Sequence, residues 1–399
     1  MNWEFSLQHA AGEIRLFDVV KKRGKAEERM CKTMTRLKIV DWFSSVGGFS
    51  SSAVPEHDVV GGVDCDVEVL RCFKSLFSEA TVACRKLPAT LHDCNIPMPC
   101  ASTFWHMSPP CVAFSSARRK CSVEEVDEGI RLLAWSIEMV VRHRVNFSIE
   151  NVATELPLAI ATRYRDLYPE DVDFEVMCAS SFGVPQRRRR LIISRPNVIK
   201  LLRDNVASPD LVNMKTAFSR RGLPCPGTHV KNATTCKAGP CMRSIDDYSV
   251  TLVASRPVHF FRESTKKWTA ASETELRTLM DLPDFLEVPL NKRGAVRALG
   301  NAVAGGVGRA ILRAAKETMT VCVCGREKWT FVKDDVEDRS VFESAIAGSE
   351  KCVEWCKKRE GVKKAAKKHV PVEFSSTAKK RMREAVVEEL MMMSEYEQR

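Results

Sequence analysis

Short apolar runs alternate along the chain with longer stretches in which apolar residues recur every three to four positions. Lys38-Ile-Val-Asp-Trp-Phe43 reads as a buried strand, and Ser44–Ser52 after it as a small-residue loop holding Gly47 and Gly48. Asp58–Asp64 reads as a second strand and Val67–Phe77 as its following helix. Ser102–Met107, Asn146–Glu150, Phe174–Cys178 and Arg190–Ser194 supply further strands. The clearest helix is Ser122–His143, where Ser122 and Glu125 form a capping box and Val126, Ile130, Leu133, Ile137 and Val140 share one face. Strands alternating with helices predict an α/β fold, a mostly parallel, doubly wound sheet with helices on both sides.

The pattern also divides the chain. Residues 1–36 are polar and charged, with an amphipathic stretch at Ile14, Phe17 and Val20, and read as an N-terminal extension. The main domain runs over 37–195. Between Pro196 and Tyr248 regularity fades and Pro224, Pro226, Gly227, Gly239 and Pro240 accumulate, so 196–250 reads as a small separate lobe. Helical pattern returns at Ser272–Met280 and Arg293–Thr318, making 251–318 a return segment. The remainder, 319–399, is a basic C-terminal extension with lysine runs such as Lys357-Lys-Arg359 and Lys379-Lys-Arg381, in part disordered.

Charge changes the picture through its location. The chain has 399 residues and a formal charge of +11, yet Arg187–Arg243 alone holds 13 basic and 2 acidic residues. A slightly acidic body with a concentrated basic middle points to a polyanion, nucleic acid first, or else to a solvated face with no partner. The 16 cysteines are scattered, and Glu13, Arg15 and Asp18 fall where a signal peptide would be apolar. The cysteines therefore read as thiols of a reducing compartment, which implies an intracellular protein, nuclear if its source is eukaryotic or viral. No apolar run reaches the roughly 20 residues a membrane span needs.

Four places carry candidate chemistry. In open α/β sheets, ligands sit at the carboxyl ends of strands. Gly47 and Gly48 permit a tight turn there, and Asp64 and Asp93 are acids able to meet ribose hydroxyls; taken alone, this is also an ordinary strand-to-helix turn. Cys111, after Ser108-Pro-Pro, is placed like a nucleophile, although a single cysteine among 16 reads first as a small buried hydrophobe. Glu150 ends another strand and suits proton transfer to a heterocycle as well as it suits capping the next helix. In Gln186-Arg-Arg-Arg-Arg190, Arg188 and Arg190 share one strand face, fit for phosphate or a base carbonyl, or else for solvent.

Taken in order, these pieces resemble the DNA cytosine-5 methyltransferase family. Asp41-Trp-Phe-Ser-Ser-Val-Gly-Gly48 resembles its cofactor motif, and Pro109-Pro-Cys111 with Phe114-Ser115 its nucleophile motif. Glu150-Asn-Val152, the Gln186, Arg188, Arg190 set and Gly300-Asn-Ala-Val303 resemble its later motifs, with Thr251 and Glu275–Pro283 between. The resemblance spans about Leu37 to Ala315 and implies a Rossmann-like, S-adenosylmethionine-dependent methyltransferase fold with a target-recognition lobe at 196–250. It implies Cys111, Glu150, Arg188 and Arg190 as catalytic residues. It implies S-adenosyl-L-methionine held by Phe43, Ser44, Val46, Gly47, Gly48, Asp64, Cys65, Asp93, Cys94, Pro110, Asn301 and Ala302. The implied partner is double-stranded DNA with its target cytosine flipped out, bound by a monomer; a transfer-RNA methyltransferase and a catalytically weak nucleic-acid-binding relative are the alternatives on the same fold.

The sequence departs from the family pattern at four places. Ser45 and Asp281 stand where the family usually has Gly, Val112 where it has Gln, and Ala304 where Pro is common. No reacting group is lost. Cys225, Cys236 and Cys241 with His229, and Cys322 and Cys324 with Cys352 and Cys356, are weak zinc candidates that read better as free thiols, so no metal is expected.

Overall fold

The computed structural model describes residues 36–319, except 90, 98, 116–120, 206–211, 237–238 and 290. The N-terminal extension, the basic tail and the four cysteines from Cys322 to Cys356 lie outside the described residues.

Seven strands form the main sheet: β1 (Lys38–Trp42), β2 (Asp58–Asp64), β3 (Thr81–Cys84), β4 (Thr103–Met107), β5 (Asn146–Val152), β6 (Asp173–Cys178) and β7 (Arg189–Ser194). Their order is β3-β2-β1-β4-β5-β7-β6. The first five are parallel neighbours, and β7 lies antiparallel between β5 and β6. Ile39, Val40, Asp41 and Trp42 are all buried, as expected of a central strand covered on both faces. The helices are α1 (Val67–Leu76), α2 (Leu91–Cys94), α3 (Val123–Arg142), α4 (Glu155–Leu167), α5 (Pro196–Asp204), α6 (Met214–Arg220), α7 (Glu273–Met280), α8 (Lys292–Asn301) and α9 (Gly305–Met319). The capping box of Ser122 and Glu125 is formed at the start of α3, and a second, of Ser272 and Glu275, starts α7. The architecture is mixed α/β with a mostly parallel sheet, as the pattern predicts.

The topology fixes where a ligand can sit. The chain steps outward from β1 to β2 and β3, then crosses back to lay β4 on the other side of β1. The loops leaving β1 and β4 therefore diverge around a crevice at the carboxyl ends of those strands. Because β7 runs antiparallel, its first residues meet the last of β5, with Arg190 opposite Val152. The arginine run is thereby delivered to the crevice end of the sheet.

Two elements differ from the pattern reading. The stretch Arg293–Thr318 is two helices, because Ala302 is extended (φ −60°, ψ 149°). The break has a physical cause: a methyl added at Gly48 would lie 2.6 Å from Ala302 Cβ, so the β1 loop occupies the path of a continuous helix. The small lobe also has other limits. Its antiparallel sheet, β11-β10-β8-β9, uses β8 (His229–Cys236), β9 (Gly239–Ser244), β10 (Val258–Arg262) and β11 (Lys267–Ala270), and so passes residue 250. Helix α5, placed in the lobe by its position after Pro196, packs on α9 and β6 with Val198, Ile199 and Leu202 buried. One apolar core joins body and lobe, running from Ile39 and Phe104 to Val230, Val258 and Phe260.

Candidate active site

The nucleophile loop is held from three sides. His106 on β4 is fully buried, bonding Ser148 through Nδ1 (2.8 Å) and Ser108 through Nε2 (2.7 Å). Burial pushes its imidazole down to about 3, so it stays neutral, with one ring nitrogen donating and the other accepting. Phe49 of the β1 loop stacks on it at 3.7 Å between centroids. Asn151 Nδ2 donates to the Pro109 carbonyl (3.2 Å), and Thr154 Oγ1 to that of Phe114 (3.2 Å). The Cys111 carbonyl accepts from Phe114 N–H (3.0 Å), closing a turn around the thiol. The sequence reading passed over His106 and Ser148. The available signal was the alternation of His106 and Ser108 on one strand face leading straight into Pro109-Pro110-Cys111.

Cys111, Glu150 and Arg190 come together. Arg190 Nε lies 2.7 Å from Glu150 Oε1, a diagonal cross-strand pair with Glu150 nearly buried. The approach is off the N–H direction, and Glu150 Oε1 makes no hydrogen bond within the protein. The carboxylate is thus held by charge and keeps acceptor capacity for a ligand. Cys111 retains some open surface, yet burial first, and the Glu150 carboxylate second, push its thiol up, while Arg190 and Arg188 pull it down. The resting form is a thiol; the two arginines, and to a lesser extent a backbone hydrogen bond, favour the thiolate.

Arg188 does different work from Arg190. It is 2% exposed, and it donates from Nη1 to the Leu252 carbonyl (2.9 Å) and from Nη2 to those of Gly300 (3.1 Å) and Ala302 (3.2 Å). Desolvation lowers its guanidinium to about 9. The side chain expected at a base oxygen is therefore committed to the return segment, and Arg190 is the guanidinium beside Glu150. Gln186 is likewise a staple, donating to Leu279 O (3.4 Å) and accepting from Leu252 N–H (3.3 Å). Behind the Glu150–Arg190 pair a recess is lined by Met177, Ile192, Val303, Ala304 and Val307.

The β1 loop forms the other wall. Phe43 (φ 59°), Ser45 (φ 48°) and Gly47 (φ 85°) are all left-handed, so the loop coils tightly on itself. A side chain at Gly47 would strike the rings of Phe77 and Phe73, at 2.8 and 3.0 Å. Ser45 N–H donates to Asp64 Oδ2 (2.9 Å), and Asp66 N–H to Asp64 Oδ1 (2.9 Å). Val46 is buried, and the Ser44 hydroxyl is buried without a partner. Phe43 stands edge-on to Trp135 at 6.3 Å between centroids. Asp41, under the loop, accepts from Ser50 Oγ (2.7 Å), and burial raises its carboxyl to about 8.

Of the other residues expected to face a cofactor, Cys65 is exposed at the end of β2, and Asp93 and buried Cys94 close the short α2. Pro110 is exposed beside Cys111, Ala302 seats on Gly48, and Asn301 ends α8 facing solvent. Among the described residues there is no group of His, Cys, Asp or Glu able to hold a metal, and no helix is long and apolar enough to cross a membrane.

Sheet order and the loops at its carboxyl edge define an open α/β sheet with a ligand crevice between β1 and β4. More narrowly, residues 37–197, about two fifths of the chain, match the family model of C-5 cytosine-specific DNA methylases. Solved structures show similar folds at low identity. An Escherichia coli putative DNA modification methyltransferase encoded within a prophage is 20% identical, covering 70% of this chain and 98% of its own, at a TM-score of 0.48. Spodoptera frugiperda DNMT2, as a mutant, is 16% identical over 70% and 99%, at 0.45. Schizosaccharomyces pombe (S. pombe) Dnmt2 methyltransferase is 13% identical over 70% and 98%, at 0.47. No curated protein matches the chain.

Proposed function

We propose that this protein is an S-adenosylmethionine-dependent DNA cytosine-5 methyltransferase with Cys111 as nucleophile. The observation that carries this reading is the meeting of Cys111, Glu150 and Arg190 at the carboxyl ends of β4 and β5, with Glu150 Oε1 buried and lacking a hydrogen bond.

The β1 loop fits the methyl donor. The orphaned Ser44 hydroxyl needs a polar partner, Asp64 keeps lone pairs beyond its two backbone bonds, and the Phe43 ring borders the same loop. When bound, that cofactor supplies an electrophilic methyl group on a sulfonium. The chain's own residues prepare the acceptor. Cytosine carbon 5 is a poor nucleophile, and attack of the Cys111 thiolate on carbon 6 makes it enamine-like. Glu150 holds the ring at nitrogen 3 through a shared proton, offsetting the charge that develops there. Arg190 keeps Glu150 oriented and favours the thiolate that attacks. After methylation, loss of the carbon 5 proton expels Cys111 Sγ and restores the aromatic ring. A base inside a duplex cannot reach a half-buried thiol, so the reading requires a flipped cytosine.

Methyl transfer from labelled S-adenosylmethionine, measured side by side on duplex DNA and on total transfer RNA, tests this function. Transfer to DNA cytosine that vanishes in Cys111→Ser supports it. Transfer confined to RNA would replace the substrate, and cofactor binding with no transfer to either would favour a nucleic-acid-binding relative.

A further inference from the structure

The five residues Gln186–Arg190 occupy three different settings. Gln186 and Arg188 are buried staples and Arg190 serves Glu150. That leaves Arg187 and Arg189, both exposed. Neither pairs with a carboxylate among the described residues, in contrast to Arg195, Arg203, Arg262 and Arg297. Fold and catalysis need positions 186, 188 and 190; they need no cation at 187 or 189. Setting two more guanidiniums beside Arg188 and Arg190 concentrates like charge, which is unfavourable unless an anion is met there.

The backbone carrying them is rigid. Residue 186 bridges Ser249 in parallel, Ser249 N–H donates to Pro185 O (2.8 Å), and Thr251 Oγ1 donates to the Arg187 carbonyl (2.7 Å). The Arg187 guanidinium lies over the Tyr248 ring at 5.3 Å, so its head is held as well as its stem. Arg189 opens β7, paired with Cys178 on one side. Between them the chain turns tightly, Arg188 N–H donating to the Gln186 carbonyl (3.0 Å), so that both exposed guanidiniums leave the short stretch that enters β7. They stand at the crevice end of the sheet, because β7 meets β5 antiparallel.

We infer that Arg187 and Arg189 form a two-point phosphate clamp on the DNA strand that carries the target cytosine, positioning the backbone beside the nucleotide extruded toward Cys111. The inference rests on the proposed DNA reading. It assigns these arginines to affinity and register and gives them no part in base recognition.

Affinity for a short duplex is measured across a salt series for the wild type, Arg187→Gln/Arg189→Gln, and Arg187→Lys/Arg189→Lys, with Arg144→Gln at the opposite end of the sheet as a control. Each phosphate contact contributes about 0.9 to the slope of log affinity against log salt, so the double glutamine variant is expected to lose about 1.8 of slope. The lysine pair is expected to restore most of it, and the control to keep it. A thermal melt on each variant reports folding separately. An unchanged slope in a folded glutamine variant that still forms a Cys111 adduct with DNA would overturn the clamp and leave the function standing. Absence of DNA binding and adduct in the wild type would overturn both.

Discussion

The two walls of the crevice have diverged in different ways. The wall after β4 and β5 keeps every reacting group of the family motifs, and its supports are short, buried and mutually satisfied: His106 between Ser108 and Ser148, Asn151 on Pro109. The wall after β1 keeps its backbone path but not its residue. Ser45 holds a left-handed φ of 48° where the family usually has glycine. The same substitution recurs at Asp281, left-handed at φ 55° as the C-cap of α7, where the side chain has gained a partner in Arg309. Left-handed backbone costs a non-glycine residue about 1–2 kcal/mol. The protein thus tolerates strain where a cofactor is expected, while the reacting groups stay in place. The difference teaches that a left-handed turn can be held by serine or aspartate when the surrounding structure fixes it.

Four measurements break or sharpen this contrast, beginning with the largest effect. Cys111→Ser is expected to lower methyl transfer by about a thousandfold or more, since a nucleophile cannot be compensated by its neighbours. Binding of S-adenosylmethionine in a calorimeter is expected to be unchanged, because the thiol belongs to the other wall. Next, Arg188→Ala removes a buried cation and leaves three carbonyls unsatisfied, for an expected loss of about 3–5 kcal/mol in denaturant unfolding. Arg190→Ala is expected to cost far less stability and far more activity, which separates two arginines that share a strand face.

The third concerns Asp41, whose folded carboxyl titrates near 8, well above its unfolded value. A raised carboxyl makes the folded state hold a proton that the unfolded state has lost. Its stabilising share is therefore full at acid pH and falls as pH rises toward 8, at up to about 1.4 kcal/mol per pH unit. Asp41→Asn is expected to flatten that decline in unfolding experiments from pH 4 to 8; an unchanged slope would remove Asp41 as its source. The smallest effect is Ser45→Gly, expected to add about 1 kcal/mol of stability by relieving the left-handed serine. It is also expected to tighten cofactor binding several-fold. A loss of stability on this change would mean that the serine is not strained.

Much of the fold was legible in the chain, for identifiable reasons. The long helix after Ser122 announced itself by a capping box and a continuous apolar face, both of which are formed. β1, β4 and β5 are buried on both sides and read as apolar runs. Other elements gave weak signals. β3 is four residues, Thr81–Cys84, too short to show a period, and α4 buries only Pro157, Ala161 and Tyr164. The break between α8 and α9 carries no proline, because tertiary contacts impose it: Gly48 against Ala302, and Arg188 on the Gly300 and Ala302 carbonyls. The motifs named the candidate site residues, and alternation put Arg188 and Arg190 on one face. Depth along that face was invisible, so the buried staple Arg188 and Arg190, the partner of Glu150, looked alike.

The account's central claim is a covalent bond from Cys111 to carbon 6 of a flipped cytosine. Duplex DNA containing 5-fluorocytosine, incubated with the protein and labelled S-adenosylmethionine, tests it on a denaturing gel, because fluorine blocks the final elimination. The account predicts a labelled protein–DNA band that disappears in Cys111→Ala. A wild-type protein that binds both cofactor and DNA yet yields no such band would contradict it.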